Sequence, residues 1–336
     1  MRYLLQLSQD NLKLAEYEAL SLLKPKKSRL EKNMLMIEVD DISLSERLAY
    51  TKAVYELLFD CDINDAVGQV KKFVWEQIYE SNFRVRVHNK GKLQEKEIAS
   101  LIWKSLKDPK VNLANPKTSL EFFIIGRKVY STRLHVKLNH CFEERKAHKK
   151  PELHPTALSP KLARALINLA GAQKSVMDPF CGAGGILVEA GLIGLKPIGY
   201  DLYNLMLKKA KANLDFFKIR PYKLINKDAL KIKERYDYVA TDMPYGLNSS
   251  IWISKGKNNQ RISVKENTKA EKKRRLEDFY LKFLKNLRKV CKKKAVVIFP
   301  NYVSYRRIIS ESGFKKEKEF SQFVHGSLTR KIVVLS

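Results

Sequence analysis

The stretch SVMDPFCGAGGILVEAGLIGLKPIGYD, Ser175 to Asp201, decides the fold. SVMD is a short apolar run ending in a carboxylate, and DPFCGAGG turns it sharply through glycines. GGILVEAGLIG then has helical spacing, and KPIGYD is a second short run that again ends in aspartate. Strand, glycine loop, helix and strand make the opening unit of a parallel sheet. The rhythm continues downstream with helix LYNLMLKKAKANLDFF, strand YKLINKDAL, strand YDYVATD, helix LEDFYLKFLKNLRKVC and strand KKAVVIFP. Helix YVSYRRIISESG and two strands, FKKEKEFSQFVH and LTRKIVVLS, close the series. This repetition predicts an α/β, Rossmann-like, doubly wound sheet with helices on both faces and a terminal antiparallel hairpin.

Upstream the pattern differs. Over residues 1–58, RYLLQL reads as a strand, NLKLAEYEALSLL as a helix opened near Asn11, MLMIEVD as a strand and SLSERLAYTKAVYELLF as a second helix. That series predicts a small ferredoxin-like α+β unit. A second α+β unit is expected over 59–137. INDAVGQVKKFVWEQIY has helical spacing, and SNFRVRVHNKGK alternates with Phe83, Val85 and Val87 toward a core and Arg84, Arg86 and His88 on the other face. Helix EKEIASLIWKSL follows, then a hairpin turning at Gly126–Arg127. HCFEERKAHKKPELHP is charged and punctuated by prolines, so residues 138–151 are expected to link to a final domain over 152–336.

A chain of 336 residues with 44% hydrophobic and 30% charged content suits two or three soluble globular domains. A formal net charge of +29 and a pI near 9.8 point to a polyanionic partner, nucleic acid first. General basicity of the host's proteins is the plainer explanation. Cys61, Cys141, Cys181 and Cys291 form no CxxC pair, which argues against a zinc site and a disulfide framework. No apolar run reaches the ~18 residues needed to span a bilayer. The amphipathic, early-acidic start is unlike a signal peptide. A cytoplasmic, metal-free protein is expected, with no membrane partner.

In an open α/β sheet, ligands sit beyond the carboxyl ends of the strands. The first tip is the loop Asp178–Gly185, where Gly182 and Gly184 let backbone approach a ligand closely. No GKS or GKT follows, so a phosphate-cradling loop is not supported. The second tip is Asp201, about 20 residues on, placed to accept ribose hydroxyls. The third is Asp228–Ala229, able to bond an adenine edge through side chain and backbone. Any one such aspartate also serves as a cap or turn residue. Three in register would repel a polyphosphate but suit a sulfonium, a ribose and an adenine, which is S-adenosylmethionine. The fourth tip, TDMPYG, brings a carboxylate (Asp242), a proline (Pro244) and a ring (Tyr245) together.

TDMPYG resembles the (D/N/S)PP(Y/F) motif of methyltransferases acting on exocyclic base amines. An aromatic amine delocalises its lone pair into its ring. A carboxylate and a main-chain carbonyl accepting its N–H groups localise that pair and aim it. Asp242 is the acceptor, Pro244 biases Met243 toward an extended form that holds its carbonyl forward, and Tyr245 offers a stacking face. Met243 stands where the motif has its first proline, so some rigidity is lost. RKAHKKPELHPTALSPKLARALINLAGAQKSVMDPFCGAGGILVEAGLIG, TDMPYG and HGSLTRKIVVL are together similar to archaeal tRNA guanosine N2-methyltransferases modifying position ten. FRVRVHN and VNLANPKTSLEFFIIGRKVY resemble a THUMP RNA-binding domain. The resemblance implies a class I methyltransferase domain and cofactor roles for Asp178, Phe180, Gly182, Asp201 and Asp228, with Asp242 bordering cofactor and amine. It also implies that His154, Pro155, Ser159 and Pro160 line the cofactor's far side. Gly326 departs from the family, where a bulkier, often basic residue is expected.

The expected activity is methyl transfer from S-adenosylmethionine to the N2 amine of guanosine in tRNA, giving the methyl and, after a second round, the dimethyl product. S-adenosylhomocysteine is the other product. The alternatives are another tRNA or ribosomal RNA position, or an inactive RNA-binding protein with this fold. Phosphate contacts are expected from Arg84, Arg86 and the cluster Lys273, Arg274, Arg275. That cluster sits in KGKNNQRISVKENTKAEKKRRLEDF, read as a basic loop up to Leu276: a flap over RNA, or a solvated run. A monomer is expected, and the sequence leaves open whether a small activating partner binds.

Overall fold

The computed structural model describes residues 1–88, 93–152, 158–246 and 268–336. It divides into two compact units, Met1–Asn139 and His140–Ser336. The first unit runs β1 (Arg2–Leu7), α1 (Leu12–Leu23), β2 (Lys27–Glu31), β3 (Met34–Glu38), β4 (Thr51–Asp62), α2 (Ala66–Lys72), β5 (Phe83–His88), α3 (Glu95–Ser105), β6 (Thr118–Ile125) and β7 (Lys128–Lys137). All seven strands join one sheet in the order β2-β3-β1-β4-β7-β6-β5, with only β5 and β6 parallel.

The helix expected over SLSERLAYTKAVYELLF is not there. Ser43–Arg47 is a single 3-10 turn, and Thr51–Asp62 is the long central strand between β1 and β7. Ala53, Tyr55 and Leu57 enter one core cluster, whereas Phe59 and Cys61 pack against another. A register shift between Leu57 and Phe59 makes that change of face. An apolar strand that switches faces loses its period of two and imitates a helix. The expected boundary at residue 58 falls inside this strand, so one sheet runs through both parts. On β5 the alternation holds: Phe83, Val85 and Val87 are buried.

The second unit runs α4 (Pro160–Ala170), β8 (Ser175–Asp178), α5 (Gly185–Leu192), β9 (Lys196–Asp201), α6 (Asn204–Phe216), β10 (Lys223–Asn226), β11 (Tyr236–Asp242), α7 (Lys269–Val290), β12 (Cys291–Pro300), α8 (Tyr305–Ser312), β13 (Lys316–His325) and β14 (Leu328–Leu335). Its sheet order is β10-β9-β8-β11-β12-β14-β13. Strands β10 through β12 are parallel, and the final hairpin inserts β14, antiparallel, between β12 and β13. The strand order reverses direction between β8 and β11, and there an α/β sheet opens a ligand crevice.

Both faces of this sheet are covered. Ile198 and Tyr200 pack in the cluster that contains Phe283 and Leu284 of α7. Gly199, between them, faces α5: a Cβ there would stand 2.5 Å from Leu187 Cδ1 and 2.9 Å from Cys181 Sγ. Gly199→Val is therefore expected to destabilise the fold by about 1–3 kcal/mol, measured as a lower urea midpoint. An unchanged midpoint would contradict this packing.

Two stretches differ from expectation in this unit. Residues expected as a linker are fastened down: Arg145 is buried, its Nε 2.7 Å from Glu189 Oε1, and Arg164 Nη2 lies 2.8 Å from Glu189 Oε2. Of the basic run read as a loop, residues from Lys269 onward are helical. Thr268 caps them by accepting from the Glu271 N–H, and Glu271 complements the positive end of the helix. The part before 268 lies outside the described residues. Among the described residues no helix is long and apolar enough to cross a membrane.

Candidate active site

Strands β8, β9 and β11 end in carboxylates, Asp178, Asp201 and Asp242, and Asp228 stands two residues beyond β10. Asp178 ends β8 almost fully buried, and its Oδ1 accepts from Thr241 Oγ1 at 2.7 Å and from the Phe180 N–H at 3.1 Å. Burial pushes its carboxyl up to about 7, and the charges of Asp242 and Asp201 push the same way. Asp201 ends β9 and organises the glycine loop: Oδ2 accepts from the Gly182 N–H at 3.0 Å and Oδ1 from the Tyr203 N–H at 2.8 Å. Asp242 and Asp201 thus both lie close enough to Asp178 for their charges to oppose its ionisation. Gly184 closes the turn by donating to the Cys181 carbonyl, and the Phe180 ring packs on Phe279 and Phe283 of α7.

The other expected cofactor residues are less committed to the crevice. Asp228 accepts from the Leu230 N–H at 2.9 Å, and the Ala229 carbonyl accepts from Asn286 Nδ2 at 3.1 Å. Ser159 caps α4, accepting from the Leu162 N–H at 3.3 Å, with Pro160 as the first helical residue. His154 and Pro155 lie outside the described residues.

The tip of β11 is the most elaborate. The Asp242 side chain keeps 20% exposure, and its Oδ1 accepts from the Tyr245 hydroxyl at 2.8 Å. Arg330, on β14, donates through Nε to that same hydroxyl at 2.9 Å, and its Nη2 stands 3.9 Å from Asp242 Oδ2. Desolvation raises the Asp242 carboxyl to about 6, against the opposing pull of Arg330 and the Tyr245 hydroxyl. The Tyr245 hydroxyl is thus engaged by both Asp242 and Arg330.

Met243 is 1% exposed and fills the core beside Tyr280. Its N–H donates to the Ile298 carbonyl at 3.4 Å, a bond that the motif's proline could not make. In a parallel ladder the next bond would run from the N–H of residue 300 to the Met243 carbonyl, but residue 300 is proline. The neighbouring carbonyls are claimed: Pro244 accepts from Tyr280 at 2.7 Å and Tyr245 from Tyr302 at 2.5 Å. Among the described residues the Met243 carbonyl is thus left without a ladder donor from β12, next to Asp242.

Gly326 also has its reason. It sits at φ +49 in the turn from β13 to β14, a left-handed conformation that glycine adopts without strain. The side chains Thr241, Tyr280, Tyr302 and Arg330 were not among the expected site residues. Thr241, a hydroxyl inside a buried apolar strand, carried a visible signal. The others come from distant segments that only the fold brings here.

The expected phosphate ligands fall in two groups. Arg84, 21% exposed, donates to the Leu113 carbonyl and to Ser119 Oγ, and Arg86 pairs with Glu95 at 2.7 Å. These two are held within their own unit. Lys273, Arg274 and Arg275 are exposed on the first turns of α7, with Lys273 3.8 Å from Glu277.

Comparison with known proteins agrees with this geometry. Residues 147–251 match the family described as UPF0020, RMKL-like, methyltransferase domain. The crystal structure of TrmN from Thermus thermophilus covers 100% of the chain, with 99% of its own length matched, at TM-score 0.50 and 17% identity, a likeness of fold. A tRNA (guanine(10)-N2)-dimethyltransferase of Methanothermobacter thermautotrophicus is 30% identical over 87% of this chain and 84% of its own. Its counterpart from Pyrococcus abyssi is 30% identical over 321 residues, 91% of this chain and 90% of its own. With glycine loop, acidic tips and TDMPYG arranged on one crevice, this near full-length match shows that the chain belongs to the tRNA (guanine(10)-N2)-dimethyltransferase family.

Proposed function

We propose that this protein methylates the N2 amine of guanosine in tRNA, at position ten, with S-adenosylmethionine as donor. The observation that carries this is the pairing at the tip of β11: a carboxylate, Asp242, beside the Met243 carbonyl, to which β12 offers no ladder donor. Together they offer one acceptor for each N–H of an exocyclic amine. The relatives' names support two successive transfers to the same nitrogen.

The crevice fits the donor. Asp178, opposed by the charges of Asp242 and Asp201, gains from a nearby cation, and Asp201 holds the glycine loop through the Gly182 N–H. Leu202 and Tyr203, both exposed directly after Asp201, supply an apolar face for a purine ring. When bound, S-adenosylmethionine supplies an electrophilic methyl group. Asp178, Asp201 and the glycine loop would hold it, and Asp242 borders it.

The chain's own contribution is orientation and proton handling. Asp242 and the Met243 carbonyl accept the two N–H bonds, so the nitrogen lone pair leaves conjugation and points out of the base plane. Nitrogen forms its new bond to carbon as the carbon–sulfur bond breaks, and one N–H proton passes to an Asp242 oxygen. Tyr280 and Tyr302 lock the following two carbonyls, which keeps the tip rigid despite the missing proline. Tyr245 gives its ring to the extruded base once its hydroxyl leaves Asp242. The first unit, resembling THUMP, and the exposed basic turn of α7 would dock the tRNA through phosphates.

The test follows from the raised carboxyl. Asp242 must be ionised to accept, so its working form is absent below its titration midpoint and present above it. Single-turnover transfer of labelled methyl to an unmodified tRNA transcript is expected to rise with pH through about 6. Asp242→Asn is expected to lack that rise and the activity. A wild-type rate constant that is flat between about pH 5 and pH 8 would contradict the assignment.

A further inference from the structure

Arg330 has a chemistry that the transfer itself does not require. Its side chain is 11% exposed, and β14 holds it firmly: Arg330 faces Pro300 on one side and Gln322 on the other. Asn301 ties down the turn before it, accepting from the Thr329 N–H and donating to the Ser327 carbonyl, both at 3.0 Å. A guanidinium has five N–H donors. Among the described residues Arg330 spends one, through Nε, on the Tyr245 hydroxyl. The 3.9 Å gap from Nη2 to Asp242 Oδ2 is an ion pair, too long for a hydrogen bond.

The Tyr245 hydroxyl plays two roles at once, donating to Asp242 Oδ1 and accepting from Arg330 Nε. A ligand replacing it must offer both a donor to the acid and an acceptor to the cation. Guanine does so along a single edge: the N2 amine and the N1–H are donors, and O6 beyond them is an acceptor. Adenine and cytosine instead place a ring nitrogen lone pair beside their amine, which would face an Asp242 oxygen and be repelled.

Building on the proposed function, we infer that Arg330 determines base specificity, donating to O6 of the target guanine while Asp242 accepts from N1–H and N2–H, with the Tyr245 hydroxyl holding that slot beforehand. Arrival of the base exchanges one donor–acceptor pair for another, so neither the carboxylate nor the guanidinium is left unpaired in a half-buried site. The exchange also releases the Tyr245 ring to stack.

The experiment compares full-length tRNA transcripts carrying, at the methylated position, either guanosine or the 2-aminopurine ribonucleoside. The latter keeps the 2-amine and lacks N1–H and O6. Wild-type protein is expected to prefer guanosine in kcat/KM by at least about 100-fold, since two bonds to charged groups are lost. Equal use of both substrates by the wild type, a result needing no variant, would overturn the inference. Arg330→Met is expected to lower kcat/KM for guanosine by about 10- to 100-fold while changing 2-aminopurine by less than about threefold. Arg330→Lys, retaining a donor, is expected to fall between. If Arg330 only braces Tyr245 or Asp242, both substrates fall by the same factor and their ratio stays put, which rejects the inference. Failure of the underlying function reading looks different: the wild type then methylates neither substrate.

Discussion

Asp242→Ala is expected to abolish methyl transfer, lowering the single-turnover rate by roughly 10²–10⁴-fold, the range for loss of a positioned acid–base group. Cofactor affinity is expected to stay nearly intact. The separation follows from the geometry. Asp178 is anchored by Thr241 and Phe180, and Asp201 holds the Gly182 and Tyr203 N–H groups, so neither depends on Asp242 for its place. Single-turnover kinetics and equilibrium dialysis with labelled cofactor read the two quantities separately. A variant that transfers at the wild-type rate would refute the site assignment.

The second large effect concerns salt. With a net charge of +29, the protein is expected to dock a polyanionic tRNA mainly by displacing counterions. Affinity for tRNA is expected to fall by roughly 10³-fold or more between about 50 and 200 mM salt if six or more phosphates are contacted. Filter binding across that range gives the slope. Charge reversal at exposed Lys273, Arg274 and Arg275 is expected to flatten it, because among the described residues these side chains carry little internal pairing. Arg84 and Arg86 are expected to contribute less, being engaged by Ser119, the Leu113 carbonyl and Glu95. A binding constant indifferent to salt would count against phosphate-dominated docking.

The catalytic half was legible because β8 and β9 are short apolar runs separated by a glycine loop and a helix, and because β8, β9 and β11 each end in a carboxylate. Local sequence therefore carries both the fold and the ligand rim. β4 was not legible, since the register shift after Leu57 moves its apolar side chains to the other face and destroys the alternation. The start of α7 was missed for a different reason. A capped first turn whose one apolar residue is Ala270 lacks the apolar stripe by which helices are recognised, and its signal was Thr268 followed three residues later by Glu271.

At the site, sequence order predicts the groups that sit on one motif and misses those that converge from elsewhere. Asp242, Pro244 and Tyr245 are contiguous, whereas Arg330 comes from the inserted strand β14 and Tyr280 from α7. Met243 illustrates the limit best. Read alone, it is a proline lost. In the structure its N–H adds a ladder bond, its side chain fills the core, and Pro300 across the sheet offers its carbonyl no ladder donor.

The most direct measurement is mass spectrometry of nucleosides digested from unmodified tRNA after incubation with the purified protein and S-adenosylmethionine. The expected result is N2-methylguanosine, followed by N2-dimethylguanosine on longer incubation, mapped to position ten. Methylation of an adenine or cytosine amine, or no methylated nucleoside at all, would contradict the claim that Asp242 and the Met243 carbonyl together receive the guanine amine.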